Sequence, residues 1–102
     1  MTRGELWLAE VGRKRRPVLV LTRTAVLEVR ALVTVAEVTT SIRGIGAEVE
    51  FDHVPAGLDR PSVVNCDGLH TVTQASLTTR IGAVNDVVMG RVCAAVSYAL
   101  GC

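Results

Sequence analysis

Two short stretches carry the side chains best suited to chemistry on a phosphate. Arg13-Lys14-Arg15-Arg16-Pro17 gathers four cations against a proline. A guanidinium grips phosphate oxygens in a planar fork, and proline fixes the backbone where a turn becomes a strand. Thr39-Thr40-Ser41 ends an apolar run and offers hydroxyls and backbone N–H groups. Taken singly, the first reads more simply as the end of a solvated loop and the second as a turn cap. Lining one groove, they would set positive charge and hydrogen-bond donors around a phosphodiester under attack.

Other chemistries find little support. Gly44-Ile45-Gly46 lacks the third glycine of a dinucleotide fingerprint and precedes a strand, where that motif needs a helix. No Walker, H-E-x-x-H or G-x-S-x-G motif is present. Two converging histidines would suit a cyclising ribonuclease as base and acid. Here His53 reads as a loop residue paired with Asp52, while His70 follows Asp67 in a different segment. Glu48 and Glu50 share a strand face by their spacing, and paired carboxylates can hold magnesium together with substrate phosphates. A solvated face is the plainer reading. Cys66, Cys93 and Cys102 are odd in number without C-x-x-C spacing, which points to free thiols in a reducing cytoplasm. Neither a metal nor another cofactor is expected. RNA cleavage without a metal would use the substrate's own 2′-hydroxyl as nucleophile, and needs a proton acceptor, a proton donor and cationic support.

The elements that must position these groups follow from patterning. At 102 residues and 49% hydrophobic content, the chain is expected to form one domain, residues 1–102, with a genuine core. Aromatics at 3% argue against a base-stacking platform. Residues 1–30 hold seven basic residues against three acids, and residues 31–102 hold four against seven. The net charge of +1 therefore conceals a basic N-terminal third, a local polyanion site in prospect. No apolar run is long enough for a transmembrane helix, and Met1 to Trp7 lacks the features of a secretory signal.

Strands are expected over Glu5–Val11, Val18–Leu21, Leu32–Val38, Glu48–Phe51, Ser62–Cys66 and His70–Thr73, with a last short one from Arg80. Gly12 to Pro17 reads as a turn, since proline suits the first residue of a strand and not its middle. Thr24–Arg30 is ambiguous, with a helical turn as one reading. Asn85 is a good N-cap, Asp86 suits the positive end of a helix, and Val88, Val92, Ala95 or Val96, and Ala99 recur at helical spacing. That C-terminal helix is expected to lie across an open barrel of short strands.

Taken together and in order, these segments resemble the MazF/PemK (Kid) family of toxin–antitoxin ribonucleases. Gly4-Glu-Leu-Trp-Leu-Ala9 resembles the family's opening strand, and Arg16-Pro-Val-Leu-Val-Leu21 its Arg-Pro-Val/Ala-Leu-Val strand. Val35-Ala-Glu-Val-Thr39-Thr-Ser-Ile-Arg-Gly44 is similar to its Val-Ala-x-Ile-Thr-Ser/Thr-x-Ile-Arg-Gly segment. Asp59-Arg-Pro-Ser-Val-Val64, then Asp67 and the terminal helix, extend the match over nearly the whole chain. The resemblance implies a small SH3-like β-barrel with a C-terminal helix, a homodimer, and an RNA groove. It also implies a MazE-like antitoxin whose acidic, extended tail occupies that groove. The implied reaction is metal-independent cleavage of single-stranded RNA to 2′,3′-cyclic phosphate and 5′-hydroxyl ends.

By position, the family's catalytic arginine falls on Arg16 and its catalytic threonine on Thr39. Arg13, Lys14, Arg15, Thr40, Ser41, Arg43, Asp67 and His70 are the further candidates for RNA contact. Arginine stays protonated, so clamping and acid roles suit Arg16 better than a base role. The base is left open, with His70 a candidate. Two departures fall at the expected groove: a first loop of only Gly12 to Arg15, and Gly68-Leu69-His70 in place of a more usual Gln-x-Arg pattern. The RNA motif therefore does not carry over, and a tRNA or rRNA loop is a candidate target beside mRNA. The alternatives are a protein-binding toxin on the same fold, like the gyrase poison CcdB, and a noncatalytic RNA-binding or structural barrel. Arg16 with Thr39, and Arg43-Gly44, favour the nuclease.

Overall fold

Apolar residues run along both sides of the central strands, so the sheet needs cover on two faces. The computed structural model describes residues 1–11 and 13–102. Its strands are β1 (Glu5–Val11), β2 (Lys14–Val20), β3 (Leu32–Thr39), β4 (Glu48–Glu50), β5 (Val63–Thr73) and β6 (Leu77–Ala83). Helix α1 (Thr24–Leu27) follows β2, a 3₁₀ turn (Gln74–Ser76) joins β5 to β6, and α2 (Asp86–Leu100) comes last. Every strand pairing is antiparallel, in the order β4-β5-β3-β2-β1-β6. Among the described residues, β4 and β6 end the sheet without pairing to each other, so it stays open. The mainly-β architecture with a C-terminal helix is as expected.

Period-two alternation sorts the strand residues between two cores. Leu6, Leu19, Ala36, Val38 and Val64 pack under α2, against its Val88, Met89, Val92 and Ala95. Ala9, Val18, Val20, Val33 and Val35 face the other way and pack with Leu27 of α1 and Leu77. Burial of each Val or Leu contributes roughly 1.5–3 kcal/mol. The run Val18-Leu19-Val20 is wholly buried because consecutive residues feed different cores. Arg16, Glu37 and Thr39 continue the parity of Val18 and Val35, so they emerge where the second core ends, on the face away from α2.

The ends of α2 follow their local chemistry. The Asn85 side chain accepts a hydrogen bond from the Val88 N–H at 3.0 Å. Gly101 closes the helix at φ 75°, a left-handed conformation that glycine adopts without steric cost.

Three expectations are corrected. The Gly12–Pro17 turn is shorter than expected, because β2 already begins at Lys14, opposite Val11; Gly12 itself lies outside the described residues. Pro17 sits inside β2, opposite Leu8, where it was expected to open the strand. Pairing with β3 starts only at Val18, so Pro17 lies where one flank of the strand is unpaired and a missing N–H is tolerated. Finally, Ser62–Cys66 and His70–Thr73 are not separate strands. β5 is continuous from Val63 to Thr73. Ala36 pairs with Leu69 while the next residue, Glu37, pairs with Asn65, so Cys66, Asp67 and Gly68 form a bulge in β5.

Candidate active site

The divergence of β2 from β3 opens the site. Val18 is the last β2 residue paired to β3, opposite Glu37. Carrying that register outward sets Arg16 across from Thr39, with the strands no longer hydrogen-bonded. A cleft of about 350 Å³ lies to one side, lined by Lys14, Arg15, Arg16, Thr39 and Thr40 together with Leu58, Asp59, Arg60 and Ser62 of the long loop before β5. A second of about 220 Å³ is lined by Arg16, Glu37, Thr39, Ser41, Arg43 and Asn65. Arg16 and Thr39 border both clefts, so they form the ridge between them.

Glu37 organises the ridge. One carboxylate oxygen, Oε1, accepts from Arg16 Nη1, and the other, Oε2, meets His70 Nε2 at 2.8 Å. Glu37 is 17% exposed and Arg16 32%, so the ion pair is half-withdrawn from water and still reachable from the clefts. Arg16 Nε is buried without a hydrogen-bond partner among the described residues. The guanidinium is thus held at Nη1, and its Nη2 makes no hydrogen bond among the described residues, which leaves those donors for an anion. Across the ridge, Thr39 Oγ1 accepts the Ser41 N–H at 3.0 Å. Its own hydroxyl proton remains available to a phosphate oxygen.

The Thr39–Gly46 loop is shaped by a buried carboxylate. Glu48 Oε1 accepts the Arg43 and Gly44 N–H groups, each at 2.9 Å, and Oε2 accepts Arg43 Nε at 3.0 Å. Its side chain is 2% exposed. Burial alone raises the Glu48 carboxyl, but the Arg43 and Gly44 donors outweigh it and hold the group below its ordinary value of 4.5. The expected solvated face is therefore corrected: Glu50 is exposed, while Glu48 anchors the loop that presents Ser41 and Arg43.

Charge is uneven between the clefts. To the shared Arg16, which is paired with Glu37, the larger adds Lys14, Arg15 and Arg60, the last beside Asp59, whereas the smaller adds Arg43, already paired with Glu48, and Glu37 itself. An extended polyanion is therefore drawn to the larger side. Among the described residues, no group of three or more His, Cys, Asp or Glu is placed to hold a metal ion.

Of the sequence candidates, Arg16, Thr39, Lys14, Arg15, Thr40, Ser41 and Arg43 line the two clefts. His70 lines neither and joins them through Glu37. Arg13 lies exposed in the turn, and Asp67 lies exposed on the bulge with its N–H donated to Asn65 Oδ1; neither lines a cleft. His53 stays in its loop, and Asp52 Oδ1 accepts the Val54 N–H there. Glu37, Asn65 and Arg60 were not singled out from the sequence. Glu37 carried one signal, its period-two spacing from Thr39 on the same strand face.

Residues 2–100 match the family of PemK-like, MazF-like toxins of type II toxin–antitoxin systems. The probable endoribonuclease MazF5 of Mycobacterium tuberculosis is 39% identical over 98% of this chain and 93% of its own length. The solved Mycobacterium tuberculosis toxin MazF-mt6 is 37% identical, covers 95% of this chain and 96% of that one, and superposes with a TM-score of 0.88. A mycobacterial endoribonuclease solved in complex with its cognate antitoxin is 26% identical over 99% of this chain and 95% of its own, with a TM-score of 0.87. The chain belongs to the PemK/MazF toxin family.

Proposed function

We propose that the protein is the toxin of a type II toxin–antitoxin pair and an endoribonuclease that cleaves single-stranded RNA at Arg16 and Thr39 without a metal. The observation that carries this reading is the Arg16–Thr39 ridge with a cleft on each side, one strongly cationic. A phosphodiester laid across the ridge has its flanking nucleotides in the two clefts. The substrate's 2′-hydroxyl gives up its proton to a base as its oxygen attacks phosphorus, and Arg16 holds the equatorial oxygens as negative charge gathers on them. Thr39 donates its hydroxyl proton as a further hydrogen bond. The 5′-oxygen departs with a proton from the Arg16 guanidinium, which regains one from water. The products are a 2′,3′-cyclic phosphate and a 5′-hydroxyl.

The clefts are open, which fits an unpaired strand or the loop of a tRNA or rRNA. Cleavage of mRNA or of such a loop stops translation and growth, in the cytoplasm. The cationic cleft also fits the acidic, extended tail of a MazE-like antitoxin, and a relative is known in complex with its cognate antitoxin. The active form is a homodimer, as in the family the chain resembles. A gyrase-poison role on the same fold is disfavoured, since curated relatives bear the name endoribonuclease.

The test is a long mixed-sequence RNA incubated with purified protein in EDTA, beside Arg16→Ala. Discrete fragments from the wild type alone support the reading. Intact RNA with a folded wild-type protein overturns it.

A further inference from the structure

Arg16 supplies positive charge and a proton to the leaving oxygen, but it does not accept the proton of the attacking 2′-hydroxyl. One titratable side chain is coupled to it through a shared carboxylate. Glu37 holds Arg16 Nη1 on one oxygen and His70 Nε2 on the other. We infer that His70 is the general base of the cleavage reaction and that Glu37 is its positioning residue; this rests on the reading of the Arg16–Thr39 ridge as the nuclease site.

Three observations support the assignment. An ionised carboxylate only accepts hydrogen bonds, so Glu37 selects the imidazole tautomer with its proton on Nε2 and its lone pair on Nδ1. Nδ1 makes no hydrogen bond among the described residues, and the side chain is 35% exposed. The backbone is also cut to fit this pair: a methyl group on Gly68 would stand 2.6 Å from Glu37 Oε2 and 3.2 Å from Asn65 Nδ2. The bulge at Cys66–Gly68 brings this side-chain-free position against the carboxylate.

The step balances. The 2′-O–H bond breaks as the proton moves to Nδ1, the 2′-oxygen–phosphorus bond forms, and the phosphorus–5′-oxygen bond breaks as Arg16 protonates the departing oxygen. Water then takes the proton from the imidazolium and returns one to the guanidine. Among the described residues, the charged group in contact with His70 is Glu37 on β3, with Arg16 of β2 on that carboxylate's other oxygen; Asp67 lies on the bulge of the same strand as His70. The Glu48–Arg43 pair lies further along, where β4 joins β5, and α2 packs on the opposite face.

The experiment is single-turnover cleavage of mixed-sequence RNA in EDTA from pH 5 to 9, with wild type, His70→Ala, His70→Gln and Glu37→Gln, each checked for folding by circular dichroism. The wild-type rate should climb with pH to a plateau as the general base loses its proton. His70→Ala should fall about 10²–10⁴-fold, lose that inflection, and recover part of its rate on addition of free imidazole. His70→Gln should show the same loss while keeping the side-chain bulk. Glu37→Gln should be slowed yet retain the inflection. Wild-type cleavage with an unchanged rate or a retained inflection in folded His70 variants overturns the assignment and leaves the Arg16–Thr39 site standing. A wild type that cleaves nothing instead defeats the site reading beneath it.

Discussion

Gly68 and Glu37 are packed so closely that the β5 backbone leaves room for the carboxylate only because residue 68 lacks a side chain. Gly68→Ala pushes Oε2 aside and with it the anchor of Arg16. Only the end of a flexible side chain has to move, so stability should change by less than about 1 kcal/mol. Misplacing a catalytic group by about 1 Å can cost on the order of 100-fold in rate. Thermal unfolding measured beside single-turnover cleavage should therefore show a near-normal melting temperature with a large loss of rate. A normal rate would mean that Glu37 does not position Arg16.

The acid limb of stability should reveal Glu48. Its carboxyl is held below 4.5 in the folded protein by donors from Arg43 and Gly44, after they outweigh the opposing effect of burial. Glu5 is lowered likewise: burial raises it, and Arg80, Thr2 and Trp7 more than compensate. A depressed carboxylate adds stability above its unfolded value, and that stability is lost as pH falls through the folded one. Melting temperature should thus decline from about the ordinary value of 4.5 downward, and the decline should be shallower in Glu48→Gln. The same variant frees the Thr39–Gly46 loop, so its cleavage at neutral pH should also fall.

Thiol chemistry separates the three cysteines. Burial, followed by the nearby Asp67 and Cys93, pushes the Cys66 thiol up to about 11, while Cys93 and Cys102 are exposed. The thiolate is the reactive form. Iodoacetamide at pH 8, read by mass spectrometry, should modify Cys93 and Cys102 in the native protein and spare Cys66 until it unfolds. Rapid labelling of Cys66 in the native protein would contradict its packing beneath α2.

Helix α2 offers a control on the opposite face. Asn85→Ala removes the cap on Val88 and should cost about 0.5–2 kcal/mol. For a domain of this size, that lowers the melting temperature by several degrees. The Arg16–Thr39 ridge lies on the other side of the sheet, so cleavage well below the transition should be unchanged.

Much of the framework was legible from residue patterning. β1 has the expected bounds, and β3 differs by one residue at its end, because both stretches are mostly apolar and bounded by turn-forming residues. Asn85 caps α2 as its residue type indicated. Arg16 and Thr39 could be chosen only through resemblance to a family, since nothing in their spacing shows that they lie across from each other. Long-range register decides that, and β5 was the strand hardest to read. Asp67-Gly68 has the local signature of a turn, whereas pairing to β3 on both sides of it absorbs the extra residues as a bulge. With β5 divided in two, the Glu37–His70 contact could not be foreseen. Glu48 escaped for a related reason: alternation marks a strand face but not whether a loop will fold over it. Pro17 shows the limit of a local rule, tolerated in mid-strand because β3 has already diverged.

If Arg16 and Thr39 act together on one phosphate, single-turnover cleavage in EDTA by Arg16→Ala, Thr39→Val and the double variant will show it. Groups that act as a unit are strongly non-additive. Each single variant should lose at least about 100-fold, and the double variant should be little slower than the worse single. Wild-type cleavage by folded Arg16→Ala, or losses that multiply in the double variant, would contradict a shared site.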